Sequence, residues 1–528
     1  MSNFRKYAAN GFIVALALLV SGLSTGVYGQ RPGTNERSQR PNILFIAVDD
    51  LRPELGCYGV DAIKTPNIDR LAASGTVFDR AYCQQAVCNP SRASIMTGMR
   101  PDTLQVWDLR TDFRAHVPDA VTIPQHLNKY GYHSAAIGKI FHNNIPDDVS
   151  WSEEKLYIKG FPFDPDAVYL TEEQLQWLET RKQEITAAGT AERRIDRFGM
   201  WYLKAAATEI ADAPDNAYFD GAQTDVAVAK LGELAEREEP FFFGVGYYRP
   251  HLPFNAPKKY WDMYDRNEIP LAEYPNEPEN APVMAVNTMR ELRSYTDFKD
   301  AMRDKTPSLT EDEARRLKHG YYASVSYVDA QVGRLLDRLD ELGIADNTII
   351  VLWGDHGWKL GEYNSWCKMT NYEIDARVPL IVKAPGMTPG QKCERLVELV
   401  DVYPTLCELS GAPIPGALEG SSLVPLLKDP QSEFKPAVFN QFLREGVWVA
   451  PDGVEYMGHS IRTDRYRYVR WVTWPEKQFA AEELYDRSVD PNETRNIAGN
   501  PEQAQTLQQL RQQLEAGWRA ALPKSQSP

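Results

Sequence analysis

The sequence predicts an α/β fold: a mostly parallel sheet flanked by helices, followed by a smaller C-terminal domain of antiparallel sheet plus helix. Three observations carry this. Short, uniformly apolar runs alternate with amphipathic segments of helical length, each run stops abruptly at charged or polar residues, and the texture changes to short alternating segments after about residue 445. Uniformly apolar runs suit strands buried on both faces, as in a parallel sheet covered by helices. Polar residues at the carboxyl ends of such strands sit where α/β folds place their chemistry.

The elements follow in order. Arg5 and Lys6 precede an apolar run at 12–19 and small residues leading to Gly29. That pattern predicts a secretory signal peptide over 1–29, because the run is shorter than the ~20 residues that span a bilayer. The expected product is secreted or periplasmic, with no membrane attachment after signal removal. The larger domain is assigned to 38–445 and the small α+β domain to 446–528. Asn42–Val48 reads as a buried strand ending in Asp49-Asp50. Pro66–Ser74 reads as a helix, with Ile68 and Leu71 on one face and Gly75 as its stop. A helix over 91–97 places residue 88 near a helix amino terminus, where backbone N–H groups favour an anion. A helix at 123–130 and a strand at 134–137 run into Gly138-Lys139-Ile140-Phe141-His142. Residues 143–215, charged and rich in Pro and Asp, read as a surface insertion with a helix near 172–182. Then come a helix at 224–235, a strand at 241–246 leading to His251, a long helix at 313–342, and a strand at 348–353 ending in Gly354-Asp355-His356-Gly357. Past 445, alternating strands precede a final helix over 501–522.

The 528 residues are 43% hydrophobic and carry a formal net charge of −15. That charge argues against nucleic acid or a general polyanion surface as partner, so an anionic substrate must be captured by local cations or a metal in a pocket. The six cysteines are scattered. Their spacing is neither a zinc pattern nor a dense disulfide framework, and at most one or two bridges are expected.

The motif richest in chemistry is Cys88-Asn89-Pro90-Ser91-Arg92. Cys-x-Pro-Ser-Arg is the pattern that maturation enzymes read when they oxidise a cysteine to formylglycine (3-oxoalanine). A hydrated aldehyde carries two geminal hydroxyls: one can attack sulfur and the other can later expel sulfate, whereas an ordinary Ser or Cys would stay esterified. Asp49, Asp50, Asp355 and His356 at strand ends offer hard ligands for a divalent cation such as calcium. Lys139, His142, His251 and Lys368 lie at other element ends, and Arg92 beside residue 88. Lysines can neutralise sulfate oxygens and a histidine can protonate a leaving hydroxyl. His116, His126, His133 and His319 read as ordinary histidines, and His459 is an open candidate for substrate contact.

These segments, with Pro250-His251-Leu252-Pro253-Phe254 and Gly354-Asp355-His356-Gly357-Trp358, resemble the type I formylglycine-dependent sulfatases of the alkaline-phosphatase superfamily over nearly the whole chain. The resemblance implies an alkaline-phosphatase-like fold and a Ca²⁺ ion held by Asp49, Asp50, matured Cys88, Asp355 and His356. It further implies that Arg92 steadies the aldehyde hydrate, Lys139 and Lys368 clamp the sulfate, His251 protonates the leaving sugar oxygen, and His142 takes the proton when the hydrate collapses. The implied function is hydrolysis of sulfate esters at the end of a sulfated oligosaccharide or polysaccharide, a 2-O-sulfated uronic acid such as iduronate being one candidate. The partners are that saccharide and a formylglycine-generating enzyme. Residues 359–367 and the insertion at 143–215 depart from the family pattern and are expected to shape specificity, as loops on a rigid scaffold do. The alternatives are a phosphomonoester or phosphonate hydrolase on the same fold, and an unmatured protein that only binds sulfated glycan.

Overall fold

Four strands of one direction form the centre of the molecule, in the order His133–Gly138, Phe241–Tyr247, Asn42–Val48 and Thr348–Gly354. The computed structural model describes residues 40–523 apart from 144, 159, 162–167, 196–200, 287–288, 302–306 and 447–448, so the expected signal peptide lies outside the described residues. Alternate residues of Asn42–Val48 face opposite layers, as a strand's two-residue period requires. Leu44, Ile46 and Val48 pack with Ile68, Leu231, Val325 and Val332, whereas Ile43, Phe45 and Ala47 pack with Ile95, Leu127, Val402 and Leu406. That two-sided burial is why these strands are apolar along most of their length.

The sheet continues through Leu380–Lys383 to Thr76–Tyr82, which pairs with Arg377–Val378 and Gln391–Glu398. The single antiparallel component is the segment holding Arg377–Val378 and Leu380–Lys383. None of these four outer strands was predicted from sequence. The long helix spans Glu311–Glu341. It starts two residues before the predicted position because Thr310 Oγ1 accepts from Glu313 N (3.3 Å) while Glu313 Oε2 accepts from Thr310 N (2.8 Å). The helix over the motif likewise starts early and spans Cys88–Thr97.

The insertion is more than surface. Its helix Glu172–Ala187 buries Leu178 and Ile185 with Tyr169, Trp201 and Leu203, and Thr208–Ala211 pairs with Phe254–Pro257 just beyond His251. All six cysteines are free, so no disulfide forms, against an expectation of at most one or two. Among the described residues no helix is long and apolar enough to cross a membrane.

The C-terminal sheet has four antiparallel strands, Ala437–Arg444, Tyr456–Thr463, Tyr466–Thr473 and Phe479–Asp486. Its first strand precedes residue 446. One face packs Ile461, Tyr468 and Leu484 on Leu507 and Leu510 of helix Ala504–Ala516, and the other packs Val469, Trp471 and Tyr485 on Tyr363 and Tyr372. Buried Glu398 ties this sheet to the segment that follows the motif helix: it accepts from Arg100 Nη1 (2.8 Å) and Nη2 (2.6 Å), Lys435 Nζ (2.7 Å) and Phe439 N (3.0 Å). Burial pushes its carboxyl up, but Arg100 and Lys435 outweigh that and hold it down to about 2. The unfolded chain therefore binds more protons between that value and the ordinary carboxylate range. The stabilisation is complete above the ordinary range and is lost as pH falls toward 2. Glu398→Gln is expected to cost about 3–5 kcal/mol at neutral pH, since it leaves buried Arg100 without its paired carboxylate, while Lys435 keeps Asp401 at 2.5 Å. The difference from wild type, read from urea midpoints, should shrink on acidification.

Candidate active site

Strand register assembles the site. Val48 lies opposite both Gly354 and Tyr247, and Gly138 opposite Gly246, so Asp49, Asp355, Tyr248 and Lys139 emerge along one carboxyl edge. Gly138 has φ +73°, and a Cβ there would lie 2.1 Å from Gly246 O. Only glycine allows the strand to turn this close to its neighbour and deliver Lys139. Asp50 is also left-handed (φ 58°), a conformation Asp tolerates better than most residues, and its N–H donates to Asp355 Oδ1 at 3.1 Å.

Cys88 is the first residue of helix Cys88–Thr97 and is buried. Its Sγ lies 3.2 Å from His356 Nε2 and 3.5 Å from Lys368 Nζ. Burial, with Asp49 nearby, pushes the thiol well above its ordinary range. An unmodified Cys88 is thus a protonated thiol and a poor nucleophile. One turn later, fully buried Arg92 donates Nε to Asp355 Oδ2 (2.8 Å), Nη2 to Asp49 Oδ1 (3.1 Å) and Nη1 to the carbonyls of Lys139 and Ile140. It braces two carboxylates and the Lys139 turn together.

The other cations close the cluster. Lys139 pairs with Asp49, and Lys368 Nζ lies 2.6 Å from Asp50 Oδ1 and over the Trp358 ring. His356 is fully buried; burial, reinforced by Lys368, lowers its pKa so that the ring is neutral. Its Nδ1 donates to Gly357 O at 3.1 Å, which leaves the Nε2 lone pair facing the centre, the orientation a metal ligand needs. Burial pushes Asp50 up to about 7 and Asp355 up to about 6, despite Lys368 and Arg92 respectively. For Asp49 burial acts the same way, but Lys139 and Arg92 outweigh it and hold the carboxyl well below its ordinary range.

The residues fit a divalent cation. Ligand atoms of Asp49, Cys88, Asp355 and His356 lie within 4.8 Å of one another, and so do those of Asp49, Asp50 and His251. Asp50 Oδ2 is buried without a hydrogen-bond partner, a costly state that an ion would relieve. Three carboxylates with a single imidazole form a hard, oxygen-rich donor set, of the kind that suits calcium or magnesium more than a soft metal.

His251 Nδ1 donates to Leu252 O at 2.6 Å, and its Nε2 lies 3.1 Å from Glu291 Oε1 and 4.0 Å from Asp50 Oδ2. Glu291 also lies 3.4 Å from Lys368. Burial is outweighed by Lys368 and His251, so Glu291 stays below its ordinary range and remains ionised. Both ring nitrogens of His251 therefore face acceptors, which favours the protonated imidazolium. Sequence reasoning missed Glu291: it lies in an irregular charged stretch with no motif, and only the fold brings it here. His142 lies two residues beyond Ile140, half-buried, with its carbonyl accepting from Ile145 N; no described contact joins its ring to Cys88. Nine of the ten predicted site residues thus form one interlocked cluster. His459 sits on the C-terminal sheet, outside it.

A buried, carboxylate-rich cluster that fits a divalent cation, with paired lysines on the carboxyl edge of a parallel sheet, is the arrangement expected of a hydrolase of oxyanion esters with the alkaline-phosphatase fold. Residues 41–412 match the Sulfatase family, and 361–519 match the family described as N-sulphoglucosamine sulphohydrolase, C-terminal. Iduronate 2-sulfatase of Mus musculus is 33% identical, covering 90% of this chain and 94% of its own length; a sulfatase of Formosa agariphila is 33% identical over 88% and 86%. Among solved structures, the phosphonate monoester hydrolase of Silicibacter pomeroyi superposes with a TM-score of 0.66 at 26% identity, covering 92% of this chain and 97% of that one. The chain belongs to the sulfatase family and is a sulfuric ester hydrolase.

Proposed function

We propose that this protein, after a maturation enzyme converts Cys88 to formylglycine, removes sulfate from the terminal sugar of a sulfated saccharide, with a 2-O-sulfated uronic acid such as iduronate as the candidate substrate. Export to the periplasm or medium belongs to the same reading. The observation that carries it is the place of Cys88: in a maturation motif, at a helix amino terminus, against His356 and Lys368. The likeness to iduronate 2-sulfatase at 33% identity supports the sugar.

Asp49, Asp50, residue 88, Asp355 and His356 would hold calcium. A cation there supplies Lewis-acid polarisation, and an aldehyde at residue 88 supplies, when hydrated, a nucleophile that can be regenerated. The chain's own residues do the rest. Lys139 and Lys368 neutralise sulfate oxygens as charge builds on them. Side-chain exposure is 10–11% at His251 and Glu291 and falls to 0–2% at Arg92, Lys139 and Lys368, so the sugar enters past His251. That places the leaving oxygen beside Nε2–H of His251, which hands over its proton while Glu291 keeps the ring charged beforehand. His142 is assigned the later proton-accepting role.

Asp50→Asn is expected to lower the calcium content of purified protein at least about tenfold, read by elemental mass spectrometry. Full calcium occupancy in that variant would remove Asp50 from the ligand set. The substrate is tested by sulfate release from defined sulfated oligosaccharides, including one with terminal 2-O-sulfated iduronate. Release only from other sugars would keep the chemistry and move specificity to 359–367 and the insertion. The likeness to a phosphonate monoester hydrolase favours a second activity on phosphonate or phosphate esters, read by comparing rates on aryl sulfate and aryl phosphonate.

A further inference from the structure

A cavity of about 380 Å³ lies between Gln84 and the short helix Pro101–Leu104 on one side and the C-terminal sheet with its covering helix on the other, within the range of ligand sites. It is separate from the catalytic cluster. Successive residues of a strand face opposite sides of a sheet. On Tyr456–Thr463, Gly458 lies against the body, where its carbonyl accepts from Asn371 near Lys368; the next residue, His459, faces outward into the cavity. Across the sheet, Gln441, His459 and Arg470 are register partners, and together they form one wall. Trp518, flanked by the guanidiniums of Arg100 and Arg519, forms another, and exposed Lys477 stands at the rim.

Gln84 distinguishes this cavity. Its side chain lines the cavity, is 1% exposed, and neither its Nε2 nor its Oε1 has a hydrogen-bond partner. Leaving both ends of a buried amide unsatisfied costs free energy that a ligand with both donor and acceptor groups would recover. Beside it, burial lowers the pKa of His459, so this ring too is neutral and offers one donor and one acceptor. A sugar hydroxyl has the same dual character; Arg470 is paired with Glu515 at 2.8 Å, and exposed Lys477 at the mouth is the cation that suits a sulfate.

We propose that this cavity is a second saccharide-binding site, which holds a sulfated sugar unit on the face of the C-terminal sheet opposite the catalytic centre. The inference rests on the sulfated-saccharide reading of the active site and adds a hold on a distant part of the same polymer, or on another chain of it. Polymer is thereby kept at the enzyme while terminal units are cleaved.

The test is calorimetric titration of the full-length Cys88→Ala protein, which cannot turn over, with a sulfated uronic-acid-containing hexasaccharide and its desulfated counterpart. Two binding events per chain are expected with the sulfated probe. Gln84→Leu should weaken one of them at least about tenfold and leave the other unchanged. Lys477→Glu, at an exposed position that folding tolerates, should weaken the same event more for the sulfated than for the desulfated probe. A single event, lost in Lys139→Ala and indifferent to Gln84→Leu and Lys477→Glu, would overturn the second site while leaving the catalytic reading intact. A second event that ignores both variants would also overturn it. No binding of either probe at all would sink both readings together.

Discussion

Cys88→Ala is expected to abolish sulfate release, by about 10⁴-fold or more, while leaving the fold intact. The geometry separates the two effects. Cys88 contributes one buried sulfur against His356 and Lys368, and the braces that hold the cluster run instead through Arg92, Asp49, Asp355 and Lys139. Removing the sulfur leaves those ion pairs in place, so the thermal midpoint should move little. It removes the only side chain in the cluster that maturation can turn into a nucleophile. Cys88→Ser should be as inactive for a different reason: a serine whose hydroxyl attacked the sulfate ester would expel the sugar oxygen and itself stay sulfated. Activity near wild type in either variant would sink the mechanism.

His251→Ala has the second-largest expected effect, and its size should depend on the leaving group. In the proposed mechanism His251 is the proton source, and its Nδ1 facing Leu252 O with Nε2 facing Glu291 favours the charged ring. A sugar alkoxide is a poor leaving group without that proton, so turnover of saccharide sulfates should fall about 10²–10⁴-fold. A nitrophenolate departs without help, and p-nitrophenyl sulfate hydrolysis should fall far less. Equal losses on both substrates would show that His251 serves the sulfate or the metal and not the leaving oxygen. Glu291→Gln should follow the same pattern more weakly, through a lowered upper limb of the pH–rate profile, because the ring would shed its proton at lower pH.

What was legible in the sequence follows from burial. Asn42–Val48, Phe241–Tyr247 and Thr348–Gly354 are covered on both faces, so they are apolar along most of their length and stop where the sheet edge meets the site. The functional residues directly after them could be read from the same signal. The outer strands could not. Thr76–Tyr82 carries Asp79 and Arg80 at its centre, Gln391–Glu398 has exposed charged positions, and Arg377–Lys383 is broken by Pro379, so pairing with neighbours decides their state. Glu291 and the placement of His459 were hidden for related reasons. Glu291 acquires its partners only by tertiary placement, and the side of the sheet on which His459 falls depends on a one-residue register that composition does not reveal. The insertion looked like surface because its apolar residues are sparse, yet Leu178, Trp201 and Leu203 find one another in three dimensions.

The central claim is that residue 88, once matured, is the nucleophile at the heart of this cluster. Its most direct test is peptide mass spectrometry of residue 88 across preparations made with graded amounts of maturation enzyme, set against sulfate release from the same samples. The account predicts that activity rises in proportion to the fraction carrying the aldehyde and extrapolates to zero for the pure thiol. Full activity in protein whose residue 88 is entirely cysteine would contradict it.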